Sequence, residues 1–118
     1  MRALKIDLDG QVTEVHFHLP KRGRTGAAIR GLIAAAAVEP LAVTNRWDMW
    51  VDENGRANNQ PLNPYATALA QQHGVRFGLF GPVVITGPAS PTDGATGLTP
   101  ENITAIRQQV ASLVSSAS

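Results

Sequence analysis

Apolar and polar residues alternate from the first residues of the chain. Leu4, Ile6 and Leu8 interleave with Lys5 and Asp7, which predicts a half-buried strand over residues 2–8. Asp9-Gly10 follows as a two-residue hairpin turn. The next strand, residues 11–19, places Val15, Phe17 and Leu19 on one face. A two-residue loop would pair Leu8 with Gln11, Ile6 with Thr13 and Leu4 with Val15, so the two apolar sets coincide and Lys5 opposes Glu14. Pro20 ends the strand.

The period then changes to helical. Ile29, Leu32, Ile33 and Ala36 form a stripe over residues 25–37, where four consecutive alanines favour helix. Gly31 is unfavourable there, so it is expected to admit close approach of the sheet. A strand over residues 39–43 has Pro40 at its entry, and residues 45–51 continue after a break. Trp47, Met49 and Val51 face one way; Arg46, Asp48 and Trp50 face the other. Trp47 is assigned to the core. Trp50, accompanied by Arg46 and Asp48, is assigned to a rim, where an amphipathic indole suits a partner.

Residues 50–74 are the most densely punctuated part of the chain. Asn54-Gly55 predicts a tight reversal through positive φ, with Asp52 and Glu53 beside it. Asn63-Pro64 reads as N-cap and first helical residue, and a short helix through Tyr65, Ala66, Leu69 and Ala70 stops at Gly74. Residues 75–80 and 83–86 read as strand, and Val83-Val84-Ile85 suits burial on both faces. Residues 87–97, with their Gly and Pro, read as a long mobile loop. Thr99, Pro100 and Glu101 open a last helix with Ile103, Ile106, Val110, Leu113 and Val114 on its stripe, and residues 115–118 fray.

The element order predicts one α+β domain over residues 1–118. It has a mainly antiparallel sheet that starts with an N-terminal β-hairpin. Two longer helices and one short helix pack on one face of it. A chain of 118 residues buries a core without a staple, and the absence of cysteine removes thiol chemistry and disulfides. The longest apolar run is too short to span a bilayer and the N-terminus is unlike a signal peptide, so a cytoplasmic protein without a membrane partner is expected.

Candidate chemistry is sparse. A net charge of +1 opposes a whole-molecule field for nucleic acid, but four of the ten basic residues, Lys21, Arg22, Arg24 and Arg30, cluster without an acid among them. A basic, Gly-rich loop before a helix can hold phosphate, yet neither a Walker loop nor Gly-x-Gly-x-x-Gly is present. His16 and His18 share a strand face, with His73 or Glu14 as a third ligand. Three histidines without cysteine fall short of a structural zinc site, and no metal or cofactor is assigned. No nucleophile elbow or glycosidase pair appears, and no catalytic residue is assigned. Asp52, Glu53, Asn63 and Thr67 around a pocket are the one arrangement for a small ligand or an enzyme. The plainer reading makes them turn carboxylates, a cap and a helix-surface threonine.

Several stretches together carry a resemblance: Val51-Asp52-Glu53-x-Gly55, Pro61-x-Asn63-x-x-Ala66-Thr67-x-Leu69 and Gly81-x-Val83-Val84-Ile85-x-Gly87. The opening Ala3-Leu4-x-Ile6-x-x-Asp9-Gly10 and the entry Leu98-Thr99-Pro100-Glu101 extend it over most of the chain. This pattern resembles an uncharacterised family of small proteins carried by bacteriophages, plasmids and bacterial genomes, grouped as a domain of unknown function. The resemblance implies a mobile-element protein and supplies no activity. The expected function is therefore a small binding protein that modulates a host protein. Its candidate surface is Trp50, Asp52, Glu53, Arg56, Asn58, Asn63 and Thr67. Nucleic-acid binding through Lys21, Arg22, Arg24 and Arg30 is the alternative, and a ligand or enzymatic pocket near Asn63 a further one.

Overall fold

Turn chemistry sets the register of the first hairpin. In a computed structural model, which describes residues 2–16, 25–35, 37–88 and 96–117, β1 (Arg2–Ile6) and β2 (Val12–His16) are antiparallel, with Ile6 opposite Val12 and Leu4 opposite Glu14. The turn is a residue longer than the expected two-residue loop. Asp7 N–H donates to the Gln11 carbonyl at 3.0 Å, Gly10 N–H donates to the Asp7 carbonyl at 3.1 Å, and Gly10 has φ +86. This three-residue loop needs positive φ at glycine alone and leaves Asp9 free to accept from Gln11 N–H at 3.0 Å. The register shifts by one, and side chains change partners. Val12 joins Ile6, Val15 joins Ala3, and Lys5 faces Thr13 instead of Glu14. Glu14 meets Arg2 at 3.9 Å and His16 at 3.2 Å instead.

The remaining elements are α1 (Thr25–Ile33), β3 (Val38–Ala42), β4 (Asp48–Asp52), α2 (Pro64–Gln71), β5 (Val83–Thr86) and α3 (Pro100–Ala117). The five strands form one antiparallel sheet in the order β2-β1-β5-β4-β3. Central β5 is buried at every position, as its β-branched run predicts. The α+β architecture is as expected, with an N-terminal hairpin, an antiparallel sheet and three helices.

The helices do not share one face. Leu4, Ile6, Met49, Val51, Val83 and Ile85 pack under α2 and α3, with Leu69, Ile106 and Val110 above them. The alternate residues Ala3, Trp50 and Val84 form a second cluster with Ile29 and Ile33 of α1. The sheet is therefore covered on both sides. No helix among the described residues is long and apolar enough to cross a membrane.

Three boundaries differ from the sequence reading. Helix α1 stops at Ile33, where Ala34 turns to φ +55 and Ala35 N–H reaches back to the Arg30 carbonyl at 3.1 Å. The alanine run cannot continue as helix because Ala37 already leads into β3, its carbonyl accepting from Glu53 N–H at 3.0 Å. Gly31 is exposed and a Cβ there would meet nothing, so close approach to the sheet is not its role. Pro40 lies in the middle of β3 rather than at its entry. Residues 43–47 are a turn in which the Thr44 hydroxyl accepts from Arg46 and Trp47 N–H at 3.0 and 3.1 Å, so β4 begins only at Asp48.

The caps read from sequence are in place. Thr99 accepts from Asn102 N–H at 3.2 Å. Gly74, at φ +98, closes α2 with Val75 N–H on the Ala70 carbonyl at 3.2 Å and Gly74 N–H on the Gln71 carbonyl at 3.2 Å, the paired bonds of a Schellman motif. Residues 89–95 of the expected loop and His18 lie outside the described residues. The loop base is pinned, with Gly87 N–H donating to the Thr96 carbonyl at 2.8 Å.

Candidate functional site

The loop after β4 is one helical turn. Asp52 accepts from Asn54 N–H at 2.9 Å and Asn58 N–H donates to the Asn54 carbonyl at 2.8 Å. Neither Asn54 nor Gly55 takes positive φ; the left-handed residue is Asn59, at φ +59. Gln60 N–H closes the turn on the Gly55 carbonyl at 2.9 Å and Asn59 N–H on the Arg56 carbonyl at 3.2 Å, again a Schellman pair. The reversal expected at Asn54-Gly55 thus occurs four residues later. Gly55 is needed for space, since a Cβ would stand 3.0 Å from the Phe80 carbonyl oxygen.

Next, residues 61–63 pair with 79–81. Asn63 N–H donates to the Leu79 carbonyl and Gly81 N–H to the Pro61 carbonyl, both at 2.8 Å, around a bridge between Leu62 and Phe80. Residues 75–80 are otherwise not a strand. Thr67 and Asn63 explain why this segment stays in place. Leu79 N–H donates to the Thr67 hydroxyl at 2.9 Å. Asn63 is completely buried. Its carbonyl oxygen caps α2 by accepting from Ala66 N–H at 3.0 Å, and its amide donates to the carbonyls of Ile6 at 3.2 Å and Gly81 at 3.1 Å. The Asn63-x-x-Ala66-Thr67 motif therefore fastens α2 to the end of β1 and to the 79–81 segment.

This geometry sorts the residues singled out from sequence. Glu53, Arg56 and Asn58 are exposed on the helical turn, and Asp52 is half-buried at its start. Asn63 and Thr67 face inward, with their polar atoms engaged by the backbone. The proposed grouping with Asp52 and Glu53 thus lacks two of its four side chains on the surface. Trp50 is also not at a rim. It is 8% exposed, packs with Val84, Ile29 and Ile33, and donates its indole N–H to the Thr86 hydroxyl at 2.9 Å. Alternation separated Trp50 from Trp47 correctly, but could not show that α1 covers the second face. Arg30 lies on the exposed side of α1, and Lys21, Arg22 and Arg24 lie outside the described residues.

His16 and His73, the two described histidines, do not converge. His16 contacts Glu14, whereas His73 stands edge-on to Trp47, with ring centroids 5.3 Å apart, and contacts Gln109 at 3.3 Å. Among the described residues no group of three or more His, Asp or Glu side chains is placed to hold a metal ion.

What sequence reasoning missed is apolar. Phe77 is 56% exposed and Leu62 48% exposed. Leu62 lies against Gly78, the neighbour of Phe77, where a Cβ would stand 3.0 Å from the Leu62 methyl. The Phe80 ring lies beside the same glycine. The backbone groups of Arg76, Phe77 and Gly78 make no hydrogen bond among the described residues. The sequence signal is Gly78 between two phenylalanines: it breaks a run whose aromatic content otherwise reads as strand.

Together these features define a small α+β protein whose signature residues build a scaffold under an exposed apolar loop pair. The chain belongs to the family described as Domain of unknown function (DUF3846), whose model matches residues 1–111. No curated protein and no solved structure matches the chain.

Proposed function

We propose that this protein acts by binding, as a small mobile-element protein that docks on a host protein in the host cytoplasm and modulates it. The observation that carries the reading is Phe77, more than half exposed and next in sequence to Gly78, against which the exposed Leu62 lies, on a braced loop pair. Aromatic anchors dominate protein interfaces because they bury a large area at little entropic cost. Arg56, Asn58 and Glu53, on the adjoining helical turn, supply a polar rim. The mobile-element part rests on the resemblance to proteins carried by phages and plasmids.

The test is affinity capture of the tagged protein from a host lysate, with and without nuclease, comparing wild type with the double variant Leu62→Ser/Phe77→Ser. Both side chains are exposed, so the variant should fold. Wild type is expected to retain one stoichiometric protein after nuclease treatment. The double variant should bind it at least about tenfold more weakly, which corresponds to about 1.4 kcal/mol. Undiminished capture by the double variant would remove this patch from the site. Partners that vanish with nuclease would favour nucleic-acid binding through Lys21, Arg22, Arg24 and Arg30. Empty capture in both arms would move the weight to a small ligand or an enzyme.

A further inference from the structure

The outer edge of β3 carries a specific defect. Strand β3 ends the sheet, and no strand among the described residues pairs with its outer side. Its register with β4 is unbroken, from Val38 opposite Asp52 to Ala42 opposite Asp48. The next pair outward is joined by the bond from Glu53 N–H to the Ala37 carbonyl, at 3.0 Å. In an antiparallel ladder, residues that exchange hydrogen bonds with a partner alternate with residues whose N–H and C=O point the other way. Ala37 points toward β4, so Glu39 and Leu41 do as well. The backbone groups of Val38, Pro40 and Ala42 therefore point away from β4, to the outer edge. Pro40, which has no N–H, occupies the middle of these three positions, and it is exposed.

We infer that Pro40 closes the β3 edge of this sheet to strand addition, both by a second copy of the chain and by a partner's extended segment. A strand laid along β3 meets a missing donor and a pyrrolidine ring at its centre. Two copies paired antiparallel about Pro40 would set Val38 opposite the partner's Ala42 and Pro40 opposite the partner's Pro40. Any antiparallel register between two copies that joins more than one outward-facing pair includes Pro40. The inference is independent of the patch at Leu62 and Phe77, and it leaves side-chain docking rather than sheet extension as the route to a partner on this side of the molecule.

The experiment restores the donor. Pro40→Thr and Pro40→Lys are compared with wild type by light scattering coupled to size exclusion over a hundredfold concentration range, with circular dichroism and melting as the check of folding. Pro40 makes no ladder bond to β4, so both variants are expected to fold; should threonine unfold the domain, Pro40→Ala takes its place. The expected result is concentration-dependent association of Pro40→Thr beyond the wild type. Pro40→Lys should associate less, because the pairing sets like charges directly opposite. The inference is overturned if folded Pro40→Thr keeps the wild-type size at every concentration, or if both variants associate equally.

Discussion

Asn63 is where the fold is most exposed to a single change. Asn63→Ala removes three hydrogen bonds from a completely buried side chain. Loss of an N-cap costs about 1 kcal/mol. The carbonyls of Ile6 and Gly81 each lose a buried donor, at about 1 kcal/mol apiece. The expected loss is roughly 3 kcal/mol, a large fraction of the ~5–15 kcal/mol by which a domain is stable. Urea unfolding followed by tryptophan fluorescence measures it, since Trp47 and Trp50 are both buried and report on opposite faces of the sheet. The midpoint should fall while the slope m stays constant, and the melting temperature should drop by roughly 10–15 °C. Asn63→Asp separates the parts. It keeps the cap acceptor but turns an oxygen toward two carbonyl oxygens, so at neutral pH it should lose at least as much as alanine. Its deficit relative to wild type should narrow on acidification, when the protonated carboxyl regains a donor. A loss under about 1 kcal/mol for Asn63→Ala would refute the view that this side chain holds α2, β1 and the 79–81 segment together.

Two further variants test the layers of the fold. Gly31→Ala should raise stability by up to about 1 kcal/mol and the melting temperature by a few degrees, because the position is helical, exposed and open to a Cβ; destabilisation would show that something covers it. Trp50→Phe should cost about 2 kcal/mol in urea unfolding through the lost bond to Thr86 and the smaller ring. It should leave partner capture per folded molecule unchanged, and a selective loss of capture would return Trp50 to the binding surface.

Local chemistry was legible in the sequence, and relations between layers were not. The caps at Asn63 and Thr99 and the stop at Gly74 depend on groups within a few residues, and all three are found where the residue types place them. The double burial of β5 follows from its unbroken β-branched run. The first hairpin shows the limit. Asp9-Gly10 marks the turn, but two loop lengths satisfy the same residues, and the choice between them moves every side-chain pairing by one. The misplacement of Trp50 has a different origin. Strand periodicity separates two faces without saying which is covered, and α1 covers the one that carries Asp48 and Trp50.

The same distinction bears on function. Asn63, Ala66 and Thr67 are the most recognisable residues of the chain, and all three are buried in the joint that holds α2 against 79–81. A motif of this kind reports a scaffold and identifies no ligand. What the scaffold presents is set elsewhere, by Leu62 and by the short segment from Arg76 to Gly78, which lacks backbone partners among the described residues. That segment follows Gly74 and ends at Leu79, whose N–H Thr67 holds. Both ends of the stretch that carries Phe77 are therefore tied to α2, by the Gly74 cap at one end and the Thr67 hydroxyl at the other. Bracing of this kind lowers the entropy lost when an aromatic side chain docks. It ties the buried motif to the exposed patch: loosening Thr67 should weaken capture through Phe77 without touching the patch itself.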